Sequence, residues 1–211
     1  MSYSSFSLSQ VKADFGIVTN ETQDLYAETL AVQASDLLTL TLSEQVSLAN
    51  AINTEKARSE LIVMPIFMEV RRQLKNQIAV FSGSTFEVDP SKGLEGRCDF
   101  ILSRSPEQYY IAAPIMTIVE AKNESIPSGL GQCIATMLAA RLFNEREGQP
   151  VNTVYGAVTT GNDWKFLQLM GNTAFIDTKA YFINEVDKLI GILVSSLEPI
   201  AEGRPIGALS G

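Results

Sequence analysis

Three charged side chains in this sequence stand at a spacing that a β-sheet can turn into a site: Asp99 in GRCDF, and Glu120 and Lys122 in TIVEAKNE. The second pair ends an apolar run, Ile115, Met116, Ile118 and Val119, which reads as a strand buried on both faces. Residues two apart on a strand point to the same side, so Glu120 and Lys122 share one space while Ala121 faces the other. Charges at the end of a buried strand are costly and require a partner, a metal or water. Residues 97–103 alternate in polarity and read as a second strand. An antiparallel hairpin of the two, with its turn centred between Tyr109 and Tyr110 in the polar connection RSPEQYY, sets Asp99 opposite Glu120. Facing carboxylates repel unless a cation lies between them. A divalent ion held by Asp99, Glu120 and the Ala121 carbonyl removes the repulsion, and Lys122 then orients a water or meets phosphate charge.

This arrangement resembles the PD-(D/E)xK nuclease superfamily, on Asp99 in GRCDF and on Glu120-Ala121-Lys122 in VEAK. Cys98 stands where the pattern has proline, a position that varies across such proteins. Glu60, in ARSELIVMPI, resembles the carboxylate that the first helix contributes there. Gln132, in GLGQC, resembles the polar residue supplied by the helix after the core strand. The series ARSE, CDF, VEAK and GQC also resembles that of a cyanobacterial family within the superfamily. The resemblance covers residues 54–169. It implies an α/β, restriction-endonuclease-like core: a central mixed β-sheet flanked by α-helices. It further implies Mg²⁺- or Mn²⁺-dependent hydrolysis of DNA or RNA phosphodiesters. Asp99, Glu120, Lys122 and Gln132 would be catalytic, and Asp99, Glu120, Ala121 and Glu60 would be the metal ligands. A homodimer is implied only by analogy with enzymes that cut both strands.

Plainer readings stay open. Glu120 and Lys122 can form a salt bridge at a strand end while Asp99 is solvated. Glu60 can pair with Lys56 four residues earlier, and Gln132 can be an ordinary first-turn residue. Arg58, Arg71, Arg72 and Lys75 read as a solvated basic face rather than a phosphate cradle. A nuclease-fold module that has lost catalysis and binds a protein or nucleic-acid partner is the main alternative, and the acidity of the chain favours it.

The elements that must position these residues follow from pattern. Residues 1–20 show no readable period. Residues 22–53 look helical, with a Thr41/Glu44 capping box starting a helix near Leu42. A second helix from residue 53 or 54 to about 75 contains Pro65, which should kink or split it. Phe81–Ser84 reads as a turn into a strand at 85–88. Then come the strands at 97–103 and 115–122, a helix at 128–145, strands at 153–159 and 164–169, and a helix capped by Asn184 that runs to 197. Three units are expected: an acidic, largely helical extension over 1–53, the nuclease-like domain over 54–200, and a loose tail over 201–211.

Composition narrows the chemistry. The chain has 211 residues, 45% hydrophobic and 19% charged, enough for a sizeable core. It has no histidine, which removes histidine acid–base chemistry and leaves oxygen ligands for any metal, the preference of Mg²⁺, Mn²⁺ and Ca²⁺. Cys98 and Cys133 sit among apolar neighbours and read as reduced, buried thiols. The net charge of −8 argues against a strong nonspecific grip on phosphate backbones. Much of it lies in residues 1–53, where Lys12 is the only base against six acids. No apolar run is long enough to span a bilayer and the N-terminus has no secretory pattern, so a cytoplasmic protein without membrane contact is expected.

Overall fold

A computed structural model describes residues 2–198. The tail expected over 201–211 lies outside the described residues. A mixed eight-stranded sheet runs through the centre: β1 (Val18–Asn20), β2 (Ala79–Asp89), β3 (Leu94–Ser103), β4 (Ile115–Ala121), β5 (Thr153–Thr159), β6 (Asp163–Met170), β7 (Thr173–Ile176) and β8 (Tyr181–Phe182). The spatial order is β1-β7-β6-β5-β4-β3-β2, with β8 also paired to β6. The pairs β4–β5 and β1–β7 are parallel and the rest antiparallel. The helices are α1 (Leu8–Phe15), α2 (Asp36–Ile52), α3 (Glu55–Arg58), α4 (Met64–Gln73), α5 (Ile126–Arg146) and α6 (Val186–Leu197). The expected α/β class, a mixed sheet flanked by helices, is what forms.

Each face of the sheet carries its own core. On one, α5 and the N-terminal segment cover Cys98, Ile101 and Ile118. On the other, α2, α4 and α6 cover Phe100, Leu102, Met116 and Val119. Strand β4 lies between the two, and all seven of its residues are buried, which explains its near-continuous apolar run. Parallel pairing of β4 and β5 needs a long crossover, which the 21-residue α5 supplies.

Several expectations shift. Helix α2 starts at Asp36, not near Leu42. Its cap is Ser35, whose hydroxyl accepts from the Leu38 amide and donates to the buried Glu69 carboxylate. Thr41 sits inside the helix and donates to the Leu37 carbonyl. The tertiary contact with Glu69 selects the cap over the local sequence box. The 22–34 part of the expected helix is irregular apart from a turn. Phe81–Ser84 is not a turn but part of the 11-residue β2, in which Gly83 adopts a positive φ of 61° between the paired Ser82 and Ser84. Thr54 does cap a helix, and the chain passes from α3 to α4 through a π turn at Ser59–Val63. That wide turn ends just before Pro65, which has no N–H to give and would crowd a regular helix. Pattern missed β1, β7 and β8.

Candidate active site

The hairpin register is the one that joins the carboxylates. Phe100 pairs with Val119, Ile101 with Ile118 and Leu102 with Thr117, and continuing that ladder sets Asp99 against Glu120. The register slips at Ser103, and the connection that follows carries Tyr109, 98% exposed, and Tyr110. Asp99 Oδ2 accepts a hydrogen bond of 2.8 Å from the Ala121 amide. The carboxylate from β3 is therefore fixed beside the residue next to Glu120.

Glu120 is 0% exposed, and neither of its carboxylate oxygens has a hydrogen-bond partner in the protein. Burial first, then the charge of Asp99, push this carboxyl well above the ordinary carboxylate range, while Lys122 pulls the other way. Lys122 Nζ stands 4.0 Å from Glu120 Oε2 and 3.0 Å from Gln132 Oε1, to which it donates. The Lys122 side chain is 19% exposed, so Gln132, from the first turns of α5, holds a largely enclosed ammonium. Gly129 makes this possible: a Cβ there would lie 3.1 Å from Lys122 Cγ and Cε and 2.6 Å from Val158 Cγ1. The glycine-containing entry of α5 thus lets the helix pass close over the sheet.

A cleft of about 400 Å³ opens at Asp99, lined by Glu55, Ser59, Glu60, Ser82, Arg97 and Phe100 among others. Glu60 stands at its wall, exposed, with an oxygen 2.7 Å from Lys56 Nζ. The helix residue that couples electrostatically to the site is Glu55, which sequence reasoning passed over. Its carboxyl is raised by partial burial and by the charge of Asp99, and lowered by Lys122. Its place directly after the Thr54 cap was the available signal, since the first helical turn points its side chains at whatever the helix start faces.

Arg58, expected as part of a solvated basic face, is instead tied into the site. Its guanidinium donates to the Asn123 carbonyl at 2.8 Å, to the Thr160 carbonyl at 3.3 Å and to Asn53 Oδ1 at 2.8 Å. It ties α3 to the chain just past Lys122 and to the end of β5, so it shapes the site rather than a solvated face. Cys98 and Cys133 are free and buried, as expected.

Two carboxylates therefore meet, with an ammonium on one side and a cleft on the other. Among the described residues no three acidic or cysteine side chains come together as a closed metal cage. The donors present, all oxygens and one of them a buried carboxylate without a hydrogen-bond partner, fit Mg²⁺ or Mn²⁺. Mg²⁺ commonly takes one or two carboxylates from protein and the rest of its shell from water and phosphate. No helix among the described residues is long and apolar enough to cross a membrane. Comparison of the chain with protein-family models, with curated proteins and with solved structures finds no match in any of the three.

Proposed function

We propose that this chain is a metal-dependent nuclease that hydrolyses phosphodiester bonds of DNA or RNA at the Asp99–Glu120–Lys122 corner, with a restriction-endonuclease-like core. The observation that supports this most is Glu120: a fully buried carboxylate with neither oxygen hydrogen-bonded, next to a second carboxylate and with one ammonium, Lys122, 4.0 Å away for the two negative charges. Such a group is strongly unfavourable unless a proton or a cation joins it. Bound between Asp99 and Glu120, Mg²⁺ or Mn²⁺ would supply Lewis-acid charge at the phosphate oxygens and lower the pKa of a water.

The protein's own groups then have distinct tasks. Asp99, fixed through the Ala121 amide, lines the cleft, and the fully buried Glu120 sets a second carboxylate beside it. Lys122 brings a positive charge that meets the charge developing on the phosphate and orients the attacking water. Gln132 keeps the Lys122 ammonium from collapsing onto Glu120, which it approaches only to 4.0 Å. Glu55 lines the entry and repels a phosphate that arrives without its cation, while Glu60 there is paired with Lys56.

The test is cleavage of single- and double-stranded DNA and RNA oligonucleotides with Mg²⁺ or Mn²⁺. Lys122→Ala should lose cleavage by at least about 100-fold, since one electrostatic stabiliser of this kind contributes 10²–10³. The same cleft, lined by Glu55, Glu60 and Asp99 against Lys56 and Arg97, also suits a second reading, a module that binds a partner without catalysis. Oligonucleotide binding without cleavage under any metal would favour that reading.

A further inference from the structure

The N-terminal segment lies outside the stretch that resembles the nucleases, yet it packs onto the same corner of the sheet. Tyr3–Ser5 form one 3-10 turn, in which Tyr3 is 1% exposed. The turn rests on β3 at Gly96, where an added Cβ would stand 3.3 Å from the Tyr3 ring and 3.4 Å from Ser2. Further on, the backbone of Phe6, Ser7 and Leu8 passes against α5 so closely that a Cβ on Gly131 would lie 2.3 Å from the Ser7 carbonyl carbon. Gly131 immediately precedes Gln132, so the segment is wedged between β3 and the turn of α5 that holds Lys122.

Tyr3 carries a hydroxyl that is buried and has no hydrogen-bond partner in the protein. Both Glu120 oxygens are in the same condition. Nothing in the core chemistry of a strand end explains an orphaned phenol there, and buried polar groups are rarely left so. The two groups lie within electrostatic reach. Burial first, then the charge of Glu120, pushes the phenol upward, so it stays protonated and remains a donor. A donor without an acceptor thus lies near acceptors without a donor. A buried water can accept from a phenol and donate to a carboxylate where the two do not bond directly.

We propose that Tyr3 is a positioning residue for Glu120, hydrogen-bonded to its carboxylate through one buried water, so that the N-terminal wedge forms part of the site. This role rests on the nuclease reading of Glu120. Held from the buried side, the carboxylate keeps one fixed orientation and leaves its second oxygen for a cation shared with Asp99. The relation is that of an outer partner to a metal ligand, whose removal commonly costs 10–100-fold in affinity or activity.

The test is Tyr3→Phe, which keeps the ring and its packing and deletes the hydroxyl. In metal-free protein, proton NMR should detect a solvent-protected Tyr3 hydroxyl proton that disappears in Tyr3→Phe and shifts in Glu120→Gln. With Mn²⁺ alone as the probe, Tyr3→Phe should bind about tenfold more weakly than wild type, and its thermal midpoint should stay close to the wild-type value. A hydroxyl resonance that Glu120→Gln leaves unmoved overturns the proposal. So does an unchanged Mn²⁺ affinity in Tyr3→Phe when wild type binds the ion. Wild-type protein that binds no Mn²⁺ and cleaves nothing removes the nuclease reading, and the hydroxyl resonance alone then decides the link between Tyr3 and Glu120.

Discussion

Asp99 accepts its hydrogen bond from the amide of Ala121, the residue between Glu120 and Lys122. One carboxylate from β3 thereby fixes the backbone between the two charged groups of β4. Asp99→Asn keeps an acceptor oxygen at that amide and removes only the charge. Its stability should fall by less than about 0.5 kcal/mol, whereas Asp99→Ala should lose about 1.5 kcal/mol with the bond. Both should lose cleavage. Chemical unfolding and cleavage assays on the pair separate the structural task of Asp99 from the chemical one. Full activity in Asp99→Asn would refute the charge role.

Glu120 gives a pH signature. Its folded-state carboxyl lies well above the model-compound value of 4.5, raised by burial and then by Asp99. Its contribution to stability is complete below 4.5 and is lost as pH rises through the raised folded value. Glu120→Gln does not titrate. In EDTA, the variant should therefore gain on wild type steadily as pH rises from 4.5, and Mg²⁺ should narrow the gap. Urea unfolding across pH 4–8 measures this, and a gap independent of pH contradicts it.

Glu69 behaves in the opposite way. Burial raises its carboxyl, but hydrogen bonds from Arg72, Ser35 and Gln73 outweigh that, and the net shift is downward. Its contribution is present above 4.5 and is lost as pH falls through the lowered folded value. Glu69→Ala should cost about 2–3 kcal/mol at pH 7, because it strips a buried acceptor from the cap of α2 as well as from Arg72. The loss should shrink in acid. A cost that is the same at pH 3 and pH 7 would show that the charge is not what stabilises the cap.

Gly131→Ala tests the wedge by steric means. Its new methyl would overlap the Ser7 backbone, which cannot give way as a flexible side chain would. A loss of about 2–3 kcal/mol is expected, with hydrogen-exchange protection falling over α1. An unchanged melting temperature would mean that the N-terminal segment is not held where α5 begins.

Much of this site was legible in sequence because it depends on period-two geometry. An apolar run ending in Glu-x-Lys, and an alternating run carrying Asp99 at a compatible distance, suffice to set the register that Phe100–Val119 and Ile101–Ile118 adopt. Strand β5 and helix α5 were likewise marked by clear patterns. What sequence did not show was anything decided by contacts across the chain. Ser35 became the cap of α2 because Glu69, 34 residues later, reaches it. Glu55 and Arg58 face the site because α3 docks beside the β4 and β5 ends, a packing fact with no local signature. The strand β7 did leave a trace, since Gly171-Asn172 is a two-residue hairpin loop and Met170 pairs with Thr173 across it.

The most direct measurement is calorimetric titration of Mn²⁺ and Mg²⁺ into wild type, Asp99→Asn and Glu120→Gln, each with and without a non-cleavable oligonucleotide. The account requires that wild type bind the ions, more tightly when phosphate oxygens complete the shell, and that each carboxylate variant lose at least about tenfold in affinity. Equal binding in all three proteins, or none in wild type even with the oligonucleotide present, would contradict a cation held between Asp99 and Glu120.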